Sequence, residues 1–243
     1  MLRILLTFWI SKLVFKKNIE IVNLELSRQC NRGCDYCPVN NSSLRYLQDL
    51  MDDDLIDRLI SELVAIRCEN KICLNLYNKP LMDIELESKI SRIHYDLPYA
   101  HLSFNSNGDP LGCVRLSVLA ESGLNFIFIT LHPSPGRPFS IKELRSQYEN
   151  LFRRLDFSVS NSSVETAEPR FVGFSITGVM LKVQCPDWSE IGSNRAQTAS
   201  SHKSLGFGPG RLPSEKPFRE FTVFMMVLFN LVVSASMMTR LLF

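Results

Sequence analysis

An α/β fold built from parallel βαβ units is predicted by three observations. Strand-like and helix-like segments alternate from about residue 20 to 185. The helical stretches carry apolar residues at helical spacing, with turn and cap residues at their ends. Asn125–Leu131 (NFIFITL) is a continuous apolar run, as expected for a strand buried on both faces. Composition agrees: 243 residues, 45% apolar and 21% charged, exclude wholesale disorder, collagen and coiled coil. A net charge of +2 gives no general case for a nucleic-acid partner.

Residues 1–17 open the chain as a mostly apolar stretch with Arg3, Lys12, Lys16 and Lys17, and no acid before Glu20. An amphipathic element packing on the domain is expected; a membrane-surface anchor and a cleaved leader are the other readings. Glu20–Leu26 alternates and is β-branched, so it reads as a strand. Asp52–Arg67 carries Leu55, Leu59, Leu63 and Ile66 on one face, with acids crowding its first turn, and reads as a helix. Ile72–Tyr77 is a second strand and Asp83–His94 a helix with Ile84, Ile90 and Ile93. His101–Asn105 is a third strand, ended by Asn107-Gly108. Leu111–Ser122 is a helix with Gly123 at its C-terminal cap, and Ser140–Leu155 is another. Phe171–Val183 supplies at least one further strand.

Parallel βαβ units gather chemistry at the carboxyl ends of their strands, in an open sheet and in a barrel alike. The candidate site loops are therefore 27–40, 77–83, 105–110, 131–138 and 184–195. The first of them contains three of the seven cysteines, Cys30, Cys34 and Cys37, spaced C-x3-C-x2-C. Three thiolates on a tight turn suit a cubane iron–sulfur cluster and leave one iron open for a substrate or cofactor. Zinc is the lesser reading, because no His or Cys follows between Cys37 and Cys68 to close the site. The scattered Cys68, Cys73, Cys113 and Cys185 are expected to be buried small hydrophobes.

These residues resemble the radical S-adenosylmethionine (SAM) superfamily. Tyr36 matches the aromatic residue before the third cysteine. Tyr77-Asn-Lys-Pro80 resembles the family's Gly-Glu-Pro loop, and Asn107-Gly108 its Thr-Asn-Gly loop. Ser122–His132 resembles the fourth strand and its approach. Gly192–Ala196 and Pro217–Phe224 resemble the passage into a SPASM domain.

The resemblance implies a partial (β/α)6 TIM-like barrel over residues 18–188. The Ser-, Gly- and Pro-rich stretch 189–217 reads as a linker, and the apolar tail over 218–243 as a SPASM remnant or as a strand or cap packed on the barrel. The resemblance also implies a [4Fe-4S] cluster on Cys30, Cys34 and Cys37 and SAM as cosubstrate. Reductive cleavage of SAM would yield a 5′-deoxyadenosyl radical for hydrogen abstraction, with a peptide or protein as the expected substrate. An electron donor such as flavodoxin or ferredoxin, and a cytoplasmic location, are implied with it. Tyr36, Asn78, Lys79, Pro80, Asn107 and Thr130 are the implied SAM-binding positions. His132 is a candidate proton donor and Arg195 a candidate carboxylate ligand.

The chain departs from the pattern in three places. Lys79 stands where the family has Glu, which reverses a charge beside the cofactor. Asn78 replaces a Gly, a change that a left-handed backbone would tolerate. No cysteine follows Cys185, although SPASM domains bind their clusters through cysteines. Residues 221–239 instead run without a charge, long enough to span a bilayer, so membrane association through the tail stays open. A degenerate, noncatalytic iron–sulfur fragment is the alternative function.

Overall fold

A computed structural model describes residues 15, 18–27, 29–34, 50–76, 78–132, 140–158, 171–185 and 220–223. Seven strands form one sheet in the order β5-β6-β4-β3-β2-β1-β7. They are β1 (Ile21–Leu24), β2 (Lys71–Cys73), β3 (His101–Ser106), β4 (Phe126–Thr130), β5 (Phe171–Ile176), β6 (Val179–Gln184) and β7 (Glu220–Val223). Every pairing is parallel except the β5–β6 hairpin. Thr177 and Gly178, both at positive φ (50° and 88°), form its two-residue turn, as a twisted hairpin requires. The sheet is open, with β5 and β7 at its edges, in keeping with a partial barrel.

Parallel neighbours need crossovers, and helices supply them. They are α1 (Asp53–Ala65), α2 (Leu86–Asp96), α3 (Cys113–Glu121) and α4 (Ile141–Arg154). Asp52 caps α1 by accepting from the Asp54 and Leu55 amides, and Asp53 and Asp54 complement the helix dipole. Ser140 caps α4 through the Glu143 amide.

Helix α2 starts three residues later than the apolar spacing predicts. Pro80–Met82 first makes a 3-10 turn, and Asp83 accepts from the Glu85 amide at 2.9 Å. Arg115 of α3 holds that turn from outside, donating to the Leu81 and Asp83 carbonyls and to Glu87. Lys89 pairs with Asp83 at 2.8 Å, both side chains almost wholly buried. The segment after β2 is thus braced by charge-assisted bonds.

One face of the sheet makes the core. Val22, Leu24, Ile72, Leu74, Leu102, Phe104, Ile127, Ile129, Leu181 and Val183 are all at most 1% exposed. Ile56, Ile60, Ile90, Ile93, Leu116, Leu119 and Leu151 of the helices join the same apolar cluster. The opposite face differs. Asn105 and Lys182 are exposed there, and Cys73, Ser103, Phe126, Phe128 and Thr130 are half-buried. The apolar run of β4 therefore does not mark burial on both faces. Its odd and even positions separate: Ile127 and Ile129 are buried, whereas Phe126, Phe128 and Thr130 are half-buried, and Phe128 lies in register between Asn105 and Lys182.

Among the scattered cysteines, Cys68 and Cys185 are buried as expected. Cys113 is exposed on the first turn of α3, and Cys73 is half-buried on the open face, so neither fits that expectation. Glu220–Val223, within the stretch expected as an apolar tail, pairs with β1 as a sheet strand. The remainder of the 221–239 run lies outside the described residues, as do 1–14 and the 189–217 linker. No helix among the described residues is long and apolar enough to cross a membrane.

Helix α3 ends in a Schellman arrangement: the Gly123 amide donates to the Ala120 carbonyl and the Leu124 amide to that of Leu119. Gly123 has φ +98°, and a Cβ there would lie 2.3 Å from the His94 ring. Gly123→Ala is expected to cost at least ~1 kcal/mol from backbone strain alone. Urea denaturation followed by circular dichroism measures it, and an unchanged midpoint would contradict the packing of α2 against this turn.

Candidate functional site

The cysteine loop leaves β1 through a pinched base. Ser27 and Leu50 form an isolated antiparallel bridge, and the Met51 amide donates to the Leu26 carbonyl at 2.8 Å. Cys30 and Cys34 lie beyond that base, half-buried and in no disulfide. Cys37 and Tyr36, and Arg195 further on, lie outside the described residues.

The loop after β2 docks on the extension of β1. The Asn78 amide donates to Glu25 Oε1 at 3.0 Å, and Asn78 Nδ2 donates to Ser27 Oγ at 3.0 Å. Asn75 Nδ2 reaches the Asn78 carbonyl, and Asn75 Oδ1 accepts from the Asn105 amide of β3. The Lys79 amide donates to the Gln29 carbonyl at 2.8 Å, next to Cys30. Asn78 is not left-handed, so backbone tolerance is not why Asn stands there. Its side chain instead fastens two loops. Within this loop one buried polar atom, Asn78 Oδ1, has no partner; among the described residues His94 Nδ1 is the other such atom. A buried acceptor without a donor is costly, and a bound ligand is one explanation for it.

The loops after β3 and β4 complete the mouth. Gly108 turns with φ +73° and passes so close to Ile129 that a Cβ would sit 2.9 Å from its side chain. Asn107 Oδ1 accepts from the Asp109 amide, and its Nδ2 donates to Asn31 Oδ1 at 2.8 Å. Both ends of this buried side chain are thus engaged in holding loops. Arg32, midway between Cys30 and Cys34, donates from Nε and Nη2 to the two Asp109 carboxylate oxygens at 2.5 and 2.6 Å. Asn31 Nδ2 also donates to Asp109, at 2.9 Å. Arg32 Nη1 reaches the His132 carbonyl at 3.4 Å. Thr130, half-buried at the end of β4, accepts from Gln184 of β6 at 3.3 Å.

Electrostatics follow from these contacts. Burial works to raise the Asp109 pKa, but the hydrogen bond and charge of Arg32, with help from Asn31 and Arg154, hold it below the usual carboxylate range. His132 is pushed down to about 3 by burial and by the Lys79 and Arg32 charges, with Asp109 opposing. It is neutral at ordinary pH. The proton-donor role expected of it from the sequence has no imidazolium to draw on.

The sequence of residues 24–148 matches the family described as the radical SAM superfamily. The chain belongs to the radical SAM superfamily. The family uses a [4Fe-4S] cluster and SAM, and its enzymes need an electron donor. A relative, the S-adenosyl-L-methionine-dependent 2-deoxy-scyllo-inosamine dehydrogenase of Niallia circulans, is 30% identical over 123 residues, 51% of this chain and 49% of that protein. The chain thus spans about half the length of this curated relative. A crystal structure of BtrN in complex with AdoMet and 2-DOIA shares 25% identity over 60% of this chain and 58% of that one, with a TM-score of 0.46. Native anSMEcpe with bound AdoMet shares 14% identity over 57% of this chain and 41% of that one, with a TM-score of 0.42.

The residues present fit the radical SAM cofactors. Two soft sulfur donors stand on a loop fixed at its base, and an unpartnered acceptor lies in the adjoining loop. No cluster of three or more metal-ligating side chains occurs among the described residues; Cys37 is not one of these. Sequence reasoning overlooked Arg32, Asn31, Asp109 and Glu25. The available signal was a cation inside the cysteine loop and an acid directly after Asn107-Gly108.

His132 also makes a pH prediction. Its pKa is near 6.5 when unfolded and about 3 when folded, so between those values the unfolded chain holds more protons. The residue's contribution is fully present above pH 6.5 and falls with pH, by up to about 1.4 kcal/mol per unit. His132→Gln is expected to flatten the loss of urea stability between pH 6 and about 4. An unaltered slope would show that His132 is not the buried neutral group.

Proposed function

We propose that this chain carries the catalytic core of a radical SAM enzyme, with Cys30, Cys34 and Cys37 as cluster ligands. The observation that carries the reading is the fastening of the Cys30–Cys34 loop to the carboxyl ends of β3 and β4 through Asn31 and Arg32. Bound there, the cluster and SAM would supply an electron and a 5′-deoxyadenosyl radical that takes a hydrogen atom from the substrate. The chain's own part is to hold, orient and shield these groups.

Pro80 sets the turn that presents the loop of Asn78 and Lys79, and Lys79 brings a cation where the family has an acid. Thr130 is the β4 residue available at the mouth, while Asn107 serves by holding the cysteine loop. Tyr36 is assigned beside the adenine by resemblance alone. The segments are assigned as a barrel over 18–188, a linker over 189–217 and a terminal segment over 218–243 that includes β7.

For the substrate, a peptide or protein follows from the SPASM-like passages. A second reading, a small hydroxyl-bearing compound, is favoured by the open face of the sheet. Ser103, Asn105, Thr130, Lys182 and Gln184 line it with hydrogen-bonding groups. The relative's name, a 2-deoxy-scyllo-inosamine dehydrogenase, points the same way. Flavodoxin or ferredoxin is the proposed electron donor and the cytoplasm the proposed location.

Anaerobic reconstitution with iron and sulfide, then reduction with SAM present, is expected to yield 5′-deoxyadenosine. An intact cluster without that product would favour a noncatalytic iron–sulfur fragment. Cys34→Ala should abolish both cluster and product, and surviving turnover would remove Cys34 from the ligand set. Lys79→Glu should tighten SAM binding about fivefold, equivalent to ~1 kcal/mol for one partly exposed charge contact. Equilibrium dialysis against SAM reads it, and unchanged affinity would mean that position 79 does not face the cofactor.

A further inference from the structure

We propose that Arg32 and Asp109 form a positioning couple that sets both the seat and the electron affinity of the cluster held by Cys30, Cys34 and Cys37, an inference that rests on the radical SAM reading above. Arg32 occupies the middle of the C-x3-C spacing, two residues from either cysteine. Its guanidinium meets Asp109 in a two-point fork at 2.5 and 2.6 Å, the geometry that fixes orientation as well as distance. The two side chains are 26% and 32% exposed, so water screens the pair only in part.

Asp109 is itself immobilised. Its amide donates to Asn107, its carbonyl accepts from Arg154 at 2.5 Å, and its carboxylate takes a third bond from Asn31. Asn31 is tied in turn to Asn107. Both residues that follow Cys30 are therefore registered against the end of β3, and Arg32 also reaches the β4 loop through the His132 carbonyl. The Cys30–Cys34 stretch is thereby registered on the sheet.

The couple is also asymmetric in charge. The cation lies within the ligand loop and the anion outside it. A cluster gains negative charge on reduction, and local charge, hydrogen bonding and exposure set its potential. Neutralising Arg32 withdraws a charge that favours the reduced form. Neutralising Asp109 withdraws a negative charge that opposes reduction. The two changes act on the potential in opposite directions, which a purely mechanical latch would not do.

The test is an EPR-monitored redox titration of the reconstituted full chain, with iron content measured beside it. Arg32→Gln is expected to lower the midpoint potential and Asp109→Asn to raise it. Unchanged potentials, or shifts of the same sign, would overturn the couple's electronic role. Should a neutral variant hold no cluster, Arg32→Lys and Asp109→Glu keep both charges and displace only the fork. They are expected to hold the cluster at nearly native potential and to lose iron to a chelator several-fold faster. A native rate of loss overturns the seating role. Failure of the unmodified chain to take up a cluster would instead overturn the radical SAM reading, and the couple with it.

Discussion

Six strands running in one direction govern the rest of this molecule. A parallel ladder cannot be closed by a tight turn, so each step from β1 to β4 requires a crossover, and a helix provides it. The helices share one apolar cluster with one face of the sheet and leave the other with Asn105 and Lys182 in the open. The same parallel order collects the outgoing loops at one edge. There the cysteine loop, the Asn78–Lys79 turn and the Asn107–Asp109 turn meet. A core on one side, a partly exposed mixed face on the other and three converging loops all accompany that one directional constraint.

At the meeting edge, cohesion changes in kind. The core is held by Ile, Leu and Val, but the loops are joined by Asn75, Asn78, Glu25 and Ser27 on one side and by Asn31, Arg32, Asn107 and Asp109 on the other. Polar joints are directional, and in partly dry surroundings they fix geometry more sharply than apolar contact does. They also carry risk. Removing one partner leaves another buried group unmet, at about 1–3 kcal/mol. Asn78 Oδ1 already stands in that condition.

Much of this was legible from residue order. The alternation of segments gave the strands and helices, and Asp52 with its following acids marked the start of α1. The C-x3-C-x2-C spacing located the functional loop before any contact was known. Long-range partners were not legible. Arg32 and Asp109 are 77 positions apart, and nothing in either neighbourhood names the other. The neutrality of His132 depends on burial and on Lys79, which only folding brings near. The run Asn125–Leu131 misled because Phe126 and Phe128 are apolar yet sit on the open face, and hydrophobicity alone does not distinguish a helix-covered face from a half-exposed one. Four residues of β7 could not be separated from the longer apolar run that contains them.

The pairing of β7 with β1 has a kinetic side. Ile21 lies opposite Glu220, a separation of 220 − 21 = 199 positions. Such a contact closes a long loop and raises the contact order, so it forms late. During synthesis at about 5–20 residues per second, the outer edge of β1 waits roughly 10–40 s for its neighbour. Over that interval the strand that leads directly into the cysteine loop presents unpaired amides and carbonyls to whatever else is near. The nascent chain is thus most open to mispairing, and to chaperones that guard against it, beside the loop that carries Cys30 and Cys34.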